Sequence, residues 1–122
     1  MKHVSFRDLD IWKKGVDIAD EIYDITAKFP ENELYGLSRQ MQRAAVSIPS
    51  NIAEGFRRYL KKDYIRFLRI SLGSCAELET QLIIASRRNF IARKDFEKII
   101  DSVDHESCML VNFISALNRQ IS

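Results

Sequence analysis

Cations and aromatic rings crowd together in one stretch of this chain. Arg57, Arg58, Lys61 and Lys62 are interleaved with Phe56, Tyr59, Leu60 and Tyr64. Lys62, Arg66 and Arg69 follow at helical steps of four and three, and upstream Arg39 and Arg43 stand one helical turn apart. Guanidinium and ammonium groups contact phosphates, and rings stack on unpaired bases, so this combination points to nucleic acid, RNA or DNA. The competing reading is a solvated helix face neutralised by acids elsewhere in the chain. Net charge is only +2, but it is unevenly spread. Residues 1–34 hold five basic and eight acidic side chains, residues 35–72 eight and two, and residues 73–122 six and seven. The middle third is a basic segment, and the first third carries acids that could neutralise it.

Other chemistry is excluded by inventory. The histidines are His3 and His105, and neither has a glutamate three residues before it; position 102 is Ser102. The paired Glu-x-x-His metal site of helix bundles therefore cannot be built, and no metal or cofactor is expected. HExxH, the phosphate loop and G-x-S-x-G are also missing. His105, between Asp104 and Glu106, reads as a solvated helix residue, and no serine has a histidine and an acid in its sequence context. No catalytic residue is expected, so the chain reads as a binding or assembly module rather than an enzyme. Glu54 is one of two acids in the basic third and needs a cation if partly buried, either Arg43 or Arg58 four residues on. Cys75 and Cys108 lack CxxC spacing and fall inside helical patterns, which reads as buried free thiols in a reducing compartment. The start, Met1 to Ser5, leads into charged residues with no apolar region behind it, and no stretch approaches ~18 apolar residues. A cytoplasmic protein that does not enter membranes is expected.

Four elements must position these groups. At 122 residues, 46% hydrophobic, with four glycines and two prolines, the chain suits one helix-rich domain over 1–122. The first window carries Ile11, Trp12, Val16, Ala19, Ile22, Tyr23 and Phe29 at steps of three and four, with Ser5 as N-cap and Phe29-Pro30 as its end. The second runs from about Leu34 to Tyr59 with Pro49 in its middle, which predicts a kinked helix or two short ones. Ser47, Ser50 and Asn51 are at hand for freed backbone groups, and Gly55 marks a close packing point or the exit. The third spans about Lys61 to Arg88, with Asn89 to end it, and the fourth about Lys94 to Ile121. Short connections favour an all-α, antiparallel up-down-up-down four-helix bundle, its second helix kinked near Pro49. Apolar residues fall on more than one seam, Ile11/Val16/Ile22 beside Trp12/Ala19/Tyr23 and Ile99/Val103/Leu110 beside Ile100/Phe113. Such wide faces predict self-association.

Several runs resemble the family of four-helix bundle proteins encoded in 23S rRNA intervening sequences. They are Phe29-Pro30-Glu31-Asn32-Glu33-Leu34-Tyr35-Gly36-Leu37, Gln40 to Arg43, and the segment Ala44 to Phe56 with its Ser-x-Pro-x-Asn-Ile-Ala-Glu-Gly core. Phe6-Arg7-Asp8-Leu9, Trp12, Phe67-Leu68, Gly73-Ser74 and Glu77 to Leu82 fit as well. The resemblance implies a ring-like homopentamer, and relatives that include accessory proteins binding a reverse transcriptase and nucleic acid. Those relatives are more basic than this chain. The motif positions Gly36, Arg43, Ser47, Pro49, Asn51, Glu54 and Gly55 have types that suit helix packing and ion pairing. Two functions of different class follow: an RNA-directed nucleic-acid module using the Arg57 to Arg69 cations, or a scaffold that holds a partner enzyme such as a reverse transcriptase.

Overall fold

The computed structural model describes residues 5–121. Four helices account for most of them: α1 (Asp10–Thr26), α2 (Leu37–Phe56), α3 (Lys61–Arg87) and α4 (Arg93–Ile121), with single 3-10 turns at Phe6–Asp8 and Glu31–Glu33 and no strand among the described residues. α1 packs on α2, α2 on α3, α3 on α4, and α4 closes back on α1. Contacts run in opposite senses along the α2–α3 pair: Ser47 meets Ser74, and Gly55 lies against Phe67 and Tyr64. This all-α bundle is the fold expected from the apolar periodicity.

Each helix buries the stripe its sequence marks. Ile18 and Ile22 of α1, Met41, Ile48 and Ile52 of α2, Leu68, Leu78 and Leu82 of α3, and Ile99, Val103 and Leu110 of α4 are all but inaccessible. Each such side chain contributes roughly 1.5–3 kcal/mol relative to exposure. Most of the second apolar seam is consumed within the single chain, since Trp12, Ile100 and Phe113 pack partly buried on the same core.

Local departures have identifiable causes. Ser5 does cap, accepting from the Arg7 backbone N–H, but it caps the 3-10 turn and not α1. Leu9, extended at φ −77° and ψ 130°, turns its side chain into the core and separates the two elements. α2 runs through Pro49 as one helix instead of two short ones. Polar side chains brace the region around it: Ser71 Oγ donates to the Ile48 carbonyl at 2.8 Å, and Asn51 Nδ2 to the Ser47 carbonyl at 2.8 Å. α3 stops at a left-handed Asn89 (φ 61°), with the Phe90 N–H bonded to the Ala85 carbonyl and the Asn89 N–H to the Ser86 carbonyl. That is the Schellman arrangement, and the Phe90 ring then packs on Phe29 at 5.5 Å. The thiols differ from expectation in part: Cys75 is buried, and burial pushes it up to about 12, but Cys108 is exposed on α4.

Candidate nucleic-acid interface

The junction between α2 and α3 is short, so it brings the end of one helix and the start of the next to one end of the bundle. Gly55 makes the turn tight. A Cβ there would stand 2.8 Å from the Cβ of Phe67 and 3.1 Å from the Tyr64 carbonyl oxygen, so glycine permits the close approach of α2 to α3. Leu60 precedes α3 with no side-chain cap on the helix, and Lys61 and Lys62 occupy its first turn. Two ammonium groups therefore share, with the Asp63 carboxylate, the end of a helix where orphan N–H groups already give a partial positive charge.

The rings of this end hold the guanidinium groups. Arg57 lies 5.5 Å from the Phe6 ring centre and Arg7 5.3 Å from it; Arg58 and Arg66 lie 4.6 and 4.8 Å from the Phe67 ring. Cation–π contact orders a guanidinium and leaves its charge in place. Arg7, Phe6 and Phe67 were missed in the sequence as parts of this platform; Arg7 is distant in the chain, and the Phe67 side chain reads as core. Arg58 also pairs with Glu54 at 2.6 Å, the partner four residues on that the sequence offered. Both side chains are about half exposed, so the pair is a surface one.

Tyr59 and Tyr64 diverge. Tyr59 is 99% exposed. Tyr64 instead packs edge-on against Phe56 at 6.2 Å and Phe113 at 5.8 Å, its hydroxyl enclosed without a partner, and burial pushes the phenol up to about 12. It therefore offers no free stacking face, contrary to the sequence expectation, because its position on α3 faces the neighbouring helices. Lys61, Lys62, Arg66 and Arg69 are exposed along the outer side of α3.

Arg39 and Arg43 stand apart from this end, on α2. With Tyr23, Leu34, Tyr35, Gln42, Val46, Ser47, Ser50 and Asn51 they line an open groove of about 830 Å³. Arg43 also borders a smaller crevice that contains Glu77. Ser47 and Asn51 are tied into a network: Asn51 Nδ2 donates to Ser47 Oγ at 2.9 Å, and Ser47 Oγ and Ser74 Oγ share a hydrogen bond at 2.9 Å. Gly36 precedes α2, where the Glu33 carboxylate accepts from the Leu37 N–H. Of these bonds, Ser47–Ser74 joins α2 to α3, and the others are local to α2 and its approach. Among the described residues the ion pairs are Arg58–Glu54 and Arg93–Glu97, and no group of His, Cys, Asp and Glu could hold a metal. His3 lies outside the described residues, and no described helix is long and apolar enough to cross a membrane.

One further residue escaped the sequence reading. Glu106 is completely buried on α4, and the signal was present: it falls three residues after Val103 and four before Leu110, on the apolar stripe.

The family model described as 23S rRNA-intervening sequence protein matches residues 7–112. A crystal structure of a Bacteroides thetaiotaomicron protein, described as of unknown function and from the S23 ribosomal protein family, superposes with a TM-score of 0.80 at 26% identity. The likeness covers 85% of this chain and 97% of that one. No curated protein matches.

Proposed function

The chain belongs to the 23S rRNA-intervening sequence protein family, and from that premise we propose that it is a non-catalytic module binding single-stranded nucleic acid, RNA in the first instance, at the α2–α3 end. The observation that supports this reading is the lack of neutralisation. Acids of α1 were at hand to pair with the basic third, yet none of Arg57, Lys61, Lys62, Arg66 and Arg69 has an acidic partner within 4.0 Å among the described residues. Cations held on phenyl rings around the fully exposed Tyr59 present charge and a stacking face together. Replacing Lys61 and Lys62 with glutamate should weaken binding of a single-stranded RNA at least tenfold while leaving the helical circular dichroism spectrum unchanged. Unaltered affinity would refute the assignment of the site.

A second reading, a scaffold holding a partner enzyme such as a reverse transcriptase, is favoured by the groove on α2. Tyr23, Leu34, Tyr35 and Val46 there are 50%, 56%, 81% and 40% exposed, more apolar surface than a solitary bundle needs. On either reading the chain self-associates, five copies being favoured. Light scattering on the eluting protein should then give a mass several times 14.2 kDa, and Val46→Asp should reduce it. A monomer at micromolar concentration would refute the self-association.

A further inference from the structure

Glu106 is a buried ionisable group for which the binding surface has no use. Neither of its carboxyl oxygens has a hydrogen-bond partner or measurable contact with solvent. A glycine makes the space for it: a methyl group on Gly15 of α1 would lie 3.2 Å from Glu106 Oε2 and 3.3 Å from Ile48 and Pro49 of α2. Glycine weakens the interior of a helix, so α1 carries this notch at a cost to its own stability. Each neighbouring helix brings little to hold a charge. α1 contributes Lys14, only half-buried and not within ion-pair distance; α2 brings Ile48 and Pro49, neither ionisable, and Pro49 without an N–H to donate; α3 brings the buried Cys75. On α4 itself the flanking His105 and Asp104 are exposed.

We infer that Glu106 is a proton-controlled latch of the bundle, neutral while α4 is seated against the Gly15 notch and ionised when α1 and α4 separate there. Burial raises the carboxyl from 4.5 to about 8, against a smaller opposing pull from Lys14. The sign follows from the proton held in the folded chain: stability is full below the ordinary carboxyl value and is lost as pH rises towards about 8. Inside that window the folded chain holds one more proton than the unfolded one, so each pH unit lowers the folding equilibrium constant by up to about tenfold. Cys75, pushed up to about 12, stays protonated throughout. On this inference the opening begins where Glu106 meets the Gly15 notch, and the Ser47–Ser74–Asn51 network joining α2 to α3 contains no ionisable group that would respond to the same pH.

The test is urea unfolding of the whole chain across this window, beside the isosteric neutral variant Glu106→Gln. The folding constant of the unmodified protein should fall relative to the variant by close to tenfold per pH unit between about pH 5.5 and about pH 7.5. Taking the ratio removes the contribution of every other titrating group. Carbon NMR of the Glu106 carboxyl in the folded protein reads the same event directly, with a midpoint near the raised value, and decides alone if the variant does not fold. Above that midpoint, amide exchange corrected for intrinsic rate should quicken around Gly15 and Glu106 before it does along α2 and α3. Parallel stability curves, a carboxyl already ionised at about pH 6, or exchange that quickens uniformly would overturn the latch.

Discussion

Gly55 and Gly73 are both helical glycines, and their surroundings predict opposite responses to the same substitution. At Gly55 an added methyl meets the Phe67 side chain at 2.8 Å and the Tyr64 backbone at 3.1 Å, so α2 and α3 must move apart. Overpacking of about 1–3 kcal/mol outweighs the gain of about 1 kcal/mol in helix propensity, and Gly55→Ala should be net destabilising in urea unfolding. At Gly73 the same methyl has no atom within 4 Å, and Gly73→Ala should stabilise by about 0.5–1 kcal/mol. A loss at Gly73 would contradict the open surroundings seen in the single chain. The polar motif residues separate in the same way. Asn51 bonds both the carbonyl and the hydroxyl of Ser47, so Asn51→Ala should cost about 1–3 kcal/mol. Glu54 makes only a half-exposed pair with Arg58, so Glu54→Ala should stay within about 0.5 kcal/mol. Thermal unfolding of the two variants side by side checks that ranking.

At the scale of elements, the end of α3 carries the most specific prediction. Asn89 sits at φ 61°, where asparagine is tolerated and alanine is not. Asn89→Ala should destabilise by about 1 kcal/mol and Asn89→Gly should not, as measured by urea unfolding. This end was legible in the sequence, as were the four windows, because apolar spacing of three and four reports burial directly. What stayed hidden depends on contacts between distant segments. Ser5 looks like the cap of α1 until Leu9 is seen to leave the helix for the core. Pro49 looks like a break until Ser71 and Asn51 are seen to brace the helix around it. Tyr64 looked available for stacking, although its place in the apolar stripe of α3 already implied the packing with Phe56 and Phe113. Glu106 was concealed by its neighbours Asp104 and His105, since a run of polar residues reads as solvent-facing unless the helical period is followed through it.

Across the whole molecule, charge has been left without a partner at one end of the bundle. The first third of the chain is acidic and the middle third basic, yet the fold does not bring them into ion pairs among the described residues. Lys61 and Lys62 are placed at a helix N-terminus, where two ammonium groups outnumber the one carboxylate of the first turn, Asp63. Such a surface costs stability through self-repulsion and is advantageous when an anion arrives. The groove on the side of α2, with its exposed Tyr23 and Tyr35, is a surface separate from the α2–α3 end. The most direct measurement is the affinity of the unmodified protein for a single-stranded RNA as a function of salt. Each phosphate neutralised on a single strand contributes about −0.7 to the slope of log K against log salt. Engagement by Arg57, Lys61, Lys62, Arg66 and Arg69 of one protomer predicts a slope of about −3.5, steeper if several protomers share a strand. A slope indistinguishable from zero would contradict the nucleic-acid function itself.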